Sequence, residues 1–376
     1  MASRALSSRR TLGLVRRASS MAGPLAESLE RLKQTDPNAV LQLPFWPSHA
    51  QPGFIAIRTF LAGMDCIQLT EVKWMGMASL RLHWWRDAID SCYGSQDHRK
   101  KLPDHHLIQG LRPLIKQHKL SKYYFTRIIE ASWSHCCHPR FADLSALVKY
   151  SRSTTYAGLS LLAQLLTSSE PAWRGDVSLR TIDHSLTHLA TFLTIIRLLE
   201  RMPHYVDNHN THIVPSELLE CPDEALIKFF ADRYSPAPLD DSRGQLPARS
   251  LLNLVFLAWS ELVAAREVIT LDPSHRHSST SDFRSHKNAS RIESHIFSGR
   301  PHLPTVTIPP GLVPLFLAAT PARSQLSKIS KIILTSSDMV NKRRQNRTTD
   351  LANWVAQKPN WTAPFKLWFN YYFNKL

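Results

Sequence analysis

Apolar positions recur at helical spacing along most of this chain. Phe54, Ile57, Leu61 and Met64 form one stripe, and Met77, Leu80, Trp84, Ala88 and Cys92 form a second. No proline interrupts residues 53–102, so two amphipathic helices are predicted there, separated by an ambiguous stretch around 70–74. Pro103 and its basic, His-rich neighbourhood mark a loop. Residues 107–134 predict one or two further helices, ending near 135–139, and residues 141–166 predict another. A long helix is predicted over 177–202, striped by Leu186, Leu189, Leu193, Ile196 and Leu199 and ended by Pro203. A short helix over 223–234, a Pro/Asp/Ser/Gly loop over 235–247 and a strongly apolar helix over 250–269 follow. Apolar helices are predicted again around 312–319 and 326–334. No run alternates with strand period over a useful length, and no internal repeat is visible. The pattern predicts an all-α protein with one domain from about residue 30 to residue 376.

Residues 272–304 break this pattern. They are crowded with Ser, His and Arg and predict a long loop or disordered insert. The tail, 342–376, starts basic and ends with Trp354, Trp361, Phe365, Trp368, Phe369, Tyr371, Tyr372 and Phe373. Such a segment suits either a helix docked on the core or the headgroup level of a membrane.

Charge adds a partner question and an address. The chain of 376 residues carries a net charge of +16, which suits an anionic membrane or nucleic acid. No nucleic-acid signature accompanies it, so nucleic acid is not expected as a partner. Arg4, Arg9, Arg10, Arg16 and Arg17 lie among Ser and Ala with no acid before Glu27. That composition predicts a mitochondrial transit peptide over residues 1–20, with Arg17-Ala18 a plausible cleavage point. A weaker rival address is the terminal Asn374-Lys375-Leu376, one residue from S-K-L. Twelve glycines, roughly 3% against a typical ~7%, and no G-x-G-x-x-G or P-loop string exclude the common nucleotide-binding motifs. Five cysteines do not make a disulfide scaffold. His135-Cys136-Cys137-His138 lacks the ligand spacing of a zinc site and predicts a helix end with packed cysteines. The histidines between 275 and 295 predict a solvated loop. No metal and no cofactor are expected.

Two strings carry more. The first runs from Arg58 to Asp65 and on through Arg81, Trp84, Trp85, Arg86 and Asp87, with the sequence R-L-H-W-W-R-D-A-I. The second runs from His188 to Arg201, followed by Val214-Pro215-Ser216-Glu217-Leu218. In these strings the chain resembles the squalene/phytoene synthase family, whose fold is an all-α bundle around a central cavity. The resemblance spans roughly residues 35–375 and is strongest in the first half. Arg81, Trp84, Trp85, Arg86 and Asp87 are expected to be structural, packing or pairing within the bundle.

The resemblance also implies a test. Enzymes of that family join prenyl diphosphates held by Mg²⁺ on two D-x-x-x-D motifs, since a hard cation wants several carboxylates and residues four apart share a helix face. The first motif falls on residues 65–69, where Asp65 remains and Leu69 stands in the second place. The second falls on residues 198–202, where Leu198 and Met202 stand in both places, so the cavity is expected to be lined there by hydrocarbon. Asp65 is then expected to bond a nearby arginine or backbone group. Other carboxylates a rebuilt metal site would have to use are Glu71, Asp87 and Glu200. These departures resemble those of a mitochondrial, non-catalytic branch, the group similar to complex I assembly factor 6, as do Arg201-Met202-Pro203-His204-Tyr205 and Pro364-Phe365-Lys366-Leu367-Trp368. The implied role is an assembly factor at the matrix face of the inner membrane, with complex I subunits or intermediates as partners and peripheral membrane contact. The alternatives are an isoprenoid-diphosphate transferase with a rebuilt metal site, or an isoprenoid- or lipid-binding protein.

Overall fold

A computed structural model describes residues 23–70, 75–94, 103–168, 177–231, 245–270, 308, 310–338 and 363–372. Among them there are helices and no strands. The chain begins with α1 (Pro24–Thr35) and α2 (Pro37–Gln42), joined by Asp36. Asp36 caps α2 by accepting from the Ala39 amide at 3.0 Å, and its other carboxylate oxygen pairs with Arg58. Two long helices follow, α3 (Gln51–Thr70) and α4 (Met75–Tyr93). Residues 71–74, where the sequence was ambiguous, lie outside the described residues, as do the leader and the insert at 272–304.

The next predicted stretch resolves into α5 (His106–His118) and α6 (Lys122–Cys137), separated by Lys119 in the left-handed region at φ 51°. Residues 141–166 likewise split, into α7 (Leu144–Ser153) and α8 (Thr155–Thr167). The Asp143 side chain caps α7 through the Ala146 amide at 2.6 Å. Then comes α9 (Leu179–His209), 31 residues long and capped at its start by Ser178. The expectation that Pro203 ends this helix is corrected, because α9 continues two further turns to a left-handed Asn210 cap. Burial of Leu199, Met202, Pro203, Tyr205 and Val206 holds the last turns in place, outweighing the backbone hydrogen bond that a proline removes.

The remainder comprises α10 (Asp223–Ala231), α11 (Gln245–Thr270), α12 (Val313–Phe316), α13 (Ala319–Asp338) and α14 (Ala363–Tyr372). Helix α9 packs along α11 on one side and against α8 on the other, while α3 packs on α1, α5 and α8. Two glycines set the closeness of α3 and α8. A Cβ on Gly53 would lie 2.5 Å from Leu165, and one on Gly158 would lie 2.8 Å from Leu61. Phe60 anchors the core between Trp85 and Phe125, with ring centroids 5.5 and 5.2 Å away in edge-on geometry.

The stripe expected on α4 is also corrected. Met77, Leu80 and Trp84 face solvent, at 46, 66 and 38% exposure. The buried face is Ala78, Leu82, Trp85, Ala88, Ile89 and Cys92, which meets α5 and α6. Arg81, Arg86 and Asp87 are exposed as well. Arg86 lies 3.8 Å from Glu130, a loose surface pairing. Of the five residues expected to build the bundle here, only Trp85 is in the core.

Candidate functional site

The ends of α1 and α2, together with α3, α8, α9 and α13, enclose a cavity of about 320 Å³. Part of its lining is hydrocarbon, with Leu61, Leu159, Leu162, Leu193 and Ile196. Its polar wall is built by α3 and α9. Helix α3 presents Arg58, Asp65 and Leu69, and α9 presents Arg197, Glu200 and Arg201. Arg197 and Arg201 are four apart, so a single helix face aims both guanidinium groups at α3.

Asp65 receives them. Arg201 grips its carboxylate from both sides, with Nη2–Oδ2 at 3.0 Å and Nη1–Oδ1 at 3.4 Å. Arg197 adds Nη1–Oδ2 at 3.4 Å. Burial alone would raise the pKa of Asp65. The guanidinium groups of Arg197 and Arg201, with Arg58 further off, outweigh burial and hold the carboxyl below its ordinary range. Burial disfavours the charge on Arg201, but Asp65 outweighs it and pushes that group above its usual range. Behind the pair lies a layer of neutral polar groups. Tyr150 donates to Gln68 at 3.0 Å, and burial pushes its hydroxyl up to about 12. His135 shares a 2.7 Å hydrogen bond with Tyr205, and burial, then Arg201 and His209, press its ring down to about 3. Both rings are uncharged at neutral pH.

His135 and Cys136 are buried at the end of α6, while Cys137 is half-buried and His138 exposed. The five cysteines are free. Among the described residues no group of three or more His, Cys, Asp or Glu side chains converges as metal ligands do.

A model of squalene/phytoene synthase matches residues 32–246, more than half of the chain. The chain belongs to the squalene/phytoene synthase family. Over 143 residues it is 27% identical to the NADH dehydrogenase (ubiquinone) complex I, assembly factor 6 homolog of Drosophila melanogaster. That match covers 38% of this chain and 40% of the relative, so the chain spans well under two thirds of the relative's length. The structure is also similar to the crystal structure of squalene synthase HpnC from Alicyclobacillus acidocaldarius, with a TM-score of 0.48 and 14% identity, over 86% of this chain and 94% of that one.

As a squalene/phytoene synthase-family bundle, the protein places the expected motif residues unevenly. Asp65 and Leu69 do line the cavity. Leu198 and Met202 do not: they are 2 and 0% exposed and lie in the core of α9. The expectation that hydrocarbon at 198 and 202 faces the cavity is therefore corrected. Adjacent positions on a helix point about 100° apart, and the face that meets Asp65 carries Arg197 and Arg201 instead. Sequence reasoning passed over these two arginines, although their spacing with Leu193 marked one continuous stripe. Glu200 lies at the cavity wall, Asp87 is on the exposed face of α4, and Glu71 lies outside the described residues.

Asp65 is engaged by two guanidinium groups, so its carboxylate does not stand free to ligate a divalent cation. What the arrangement can do is tie α3 to α9, with one carboxylate shared by two guanidinium groups.

Proposed function

We propose that this squalene/phytoene synthase-family protein is a non-catalytic factor in the assembly of mitochondrial respiratory complex I, acting at the matrix face of the inner membrane. The observation that carries the reading is the pairing of Asp65 with Arg197 and Arg201. Where the family's reaction calls for free carboxylates around a metal, this chain spends its carboxylate on two internal cations. The likeness to a complex I assembly factor homolog supports the role. The Arg-rich leader supports import. No helix among the described residues is long and apolar enough to cross a membrane, which is compatible with peripheral attachment.

The test is deletion of the gene in an organism that has complex I, followed by blue-native electrophoresis with an in-gel NADH dehydrogenase stain. Loss of the complex I band, with the other complexes intact and the band restored by the wild-type gene, is the expected result. A normal band overturns the role. A second reading, favoured by the apolar part of the cavity lining, is a lipid carrier without diphosphate chemistry. Native mass spectrometry that finds the purified protein empty would count against it. Binding of farnesyl diphosphate that requires Mg²⁺ would restore the enzymatic reading.

A further inference from the structure

On the part of α9 that precedes Arg197, His184 and His188 are four residues apart and share one helix face. His188 Nδ1 lies 2.8 Å from Glu261 Oε2 on α11, and its Nε2 lies 3.2 Å from His184 Nε2. Beside His184, the Ser185 hydroxyl donates to the Ala265 carbonyl at 2.5 Å. These two bonds fix α9 against α11 at this level, so both rings stand on rigid, mutually braced helices. Exposure rises outward, from 11% for the Glu261 side chain to 24% for His188, and His184 is exposed. The pair therefore opens to solvent on the His184 side.

Each contact has a chemical meaning. A carboxylate that accepts from Nδ1–H fixes the tautomer of His188 and leaves a lone pair on Nε2. The spacing of the rings shows how that lone pair is aimed. A straight Nε2–H···Nε2 hydrogen bond of this length would hold the ring centroids about 5.5 Å apart. Two imidazoles on one ion, at ~2.05 Å each and with their nitrogens 3.2 Å apart, subtend about 103° at the metal and hold their centroids about 5.0 Å apart. The centroids lie 4.9 Å apart. The rings already splay as a two-histidine chelate does, at nearly the tetrahedral angle. Imidazole nitrogen favours Zn²⁺, Cu²⁺ or Ni²⁺, whereas Mg²⁺ and Ca²⁺ demand oxygen. Two protein ligands leave the other coordination positions to water. Arg152 and Arg180 act on His184 as like charges and Asp183 as an opposite one. Affinity is therefore expected to be roughly micromolar rather than nanomolar.

We propose that His184 and His188 form a site for a divalent transition-metal ion such as Zn²⁺, with Glu261 orienting His188 from behind. Metal entry displaces the proton between the two Nε2 atoms, which passes through solvent to Nδ1 of His184. This assignment does not depend on the role in complex I assembly. Thermal melts of the purified full-length protein test it, with ZnCl₂, MgCl₂ or EDTA. An ion that binds the folded pair raises Tm, by about 3 °C at a concentration 100 times its Kd, whereas histidines that bind equally well in the unfolded chain give no shift. The rise is expected with Zn²⁺ and not with Mg²⁺. His184→Gln and His188→Gln are each expected to abolish it with an unchanged circular dichroism spectrum. Glu261→Gln keeps both ligands and is expected to require about tenfold more Zn²⁺ for the same rise. Replacing His275, His277, His286 and His295 together by Gln is expected to leave the rise intact. No rise with Zn²⁺, a rise that survives His184→Gln, or an equal rise with Mg²⁺ would overturn the site, and so would its loss in the fourfold variant. An undiminished response in Glu261→Gln would overturn the positioning role.

Discussion

The two clefts of this protein solve opposite electrostatic problems. In the α3–α9 cavity the arginines are engaged by carboxylates. Asp65 faces Arg197 and Arg201, and Asp36 faces Arg58. In the α11–α13–α14 cleft, Arg323 and Lys366 lie among hydroxyls, and no acid shares the lining among the described residues. The first is a closed circuit whose charges serve cohesion. The two clefts of one fold therefore differ in how their cations are engaged, one by ion pairs that cross between helices and the other within a lining of hydroxyls and an amide.

Acidification should break this contrast most strongly, because Asp65 and His135 on the cavity side have pKa values held below their ordinary range. His135 is held near 3 in the fold against an ordinary 6.5. The unfolded chain therefore takes up the proton first. Stability should fall as pH drops from 6.5 toward 3, at about 1.4 kcal/mol per pH unit at most. Asp65 adds to the loss at lower pH: its contribution is complete above its ordinary 3.8 and disappears as pH falls through its lowered folded value. Denaturant melts at pH 7, 5 and 4 check this, and His135→Gln should flatten the upper part of the profile.

Asp65→Ala comes next. It leaves two largely buried guanidinium groups facing each other, at a cost of about 3 kcal/mol in chemical denaturation. Asp65→Asn should cost nearly as much, since an amide neutralises neither. Smaller effects should separate the two arginines. Arg201→Met, which removes the two-point grip, should cost about 2 kcal/mol, and Arg197→Met, which removes a single 3.4 Å contact, about 1 kcal/mol. Smallest of all, Lys366→Glu in the open cleft should change stability by less than about 0.5 kcal/mol. A large loss there would mean that the cleft is also a closed circuit and would erase the distinction.

The fold was legible because helix stripes and prolines carry it, and most expected helices appear where the spacing put them. Two of the failures share one physical root: sequence spacing gives the period of a helix but not its absolute rotation. On α4, Trp84 and Trp85 are equally apolar, and only contact with α5 and α6 selects Trp85 for the core. On α9, attention to positions 198 and 202 missed the face one residue earlier, which carries Arg197 and Arg201. Pro203 misled for a different reason. A proline's local cost is fixed, while the burial that offsets it depends on helices distant in sequence. The cleft between α11, α13 and α14 was only half visible: the aromatic tail stood out, but nothing in the pattern brought it to Arg323.

The Asp65–Arg201 bridge has a consequence for the order of folding. It joins residues 136 positions apart. Closing a loop of that length costs about 4 kcal/mol in chain entropy, more than the bridge returns, so it cannot nucleate the bundle. Local helix pairs such as α7 with α8 must collapse first, and the bridge then latches a nearly finished fold. Its loss should therefore accelerate unfolding far more than it slows folding. The clasp between α3 and α9 thus acts as a kinetic lock, setting how long the native state lasts once it has formed.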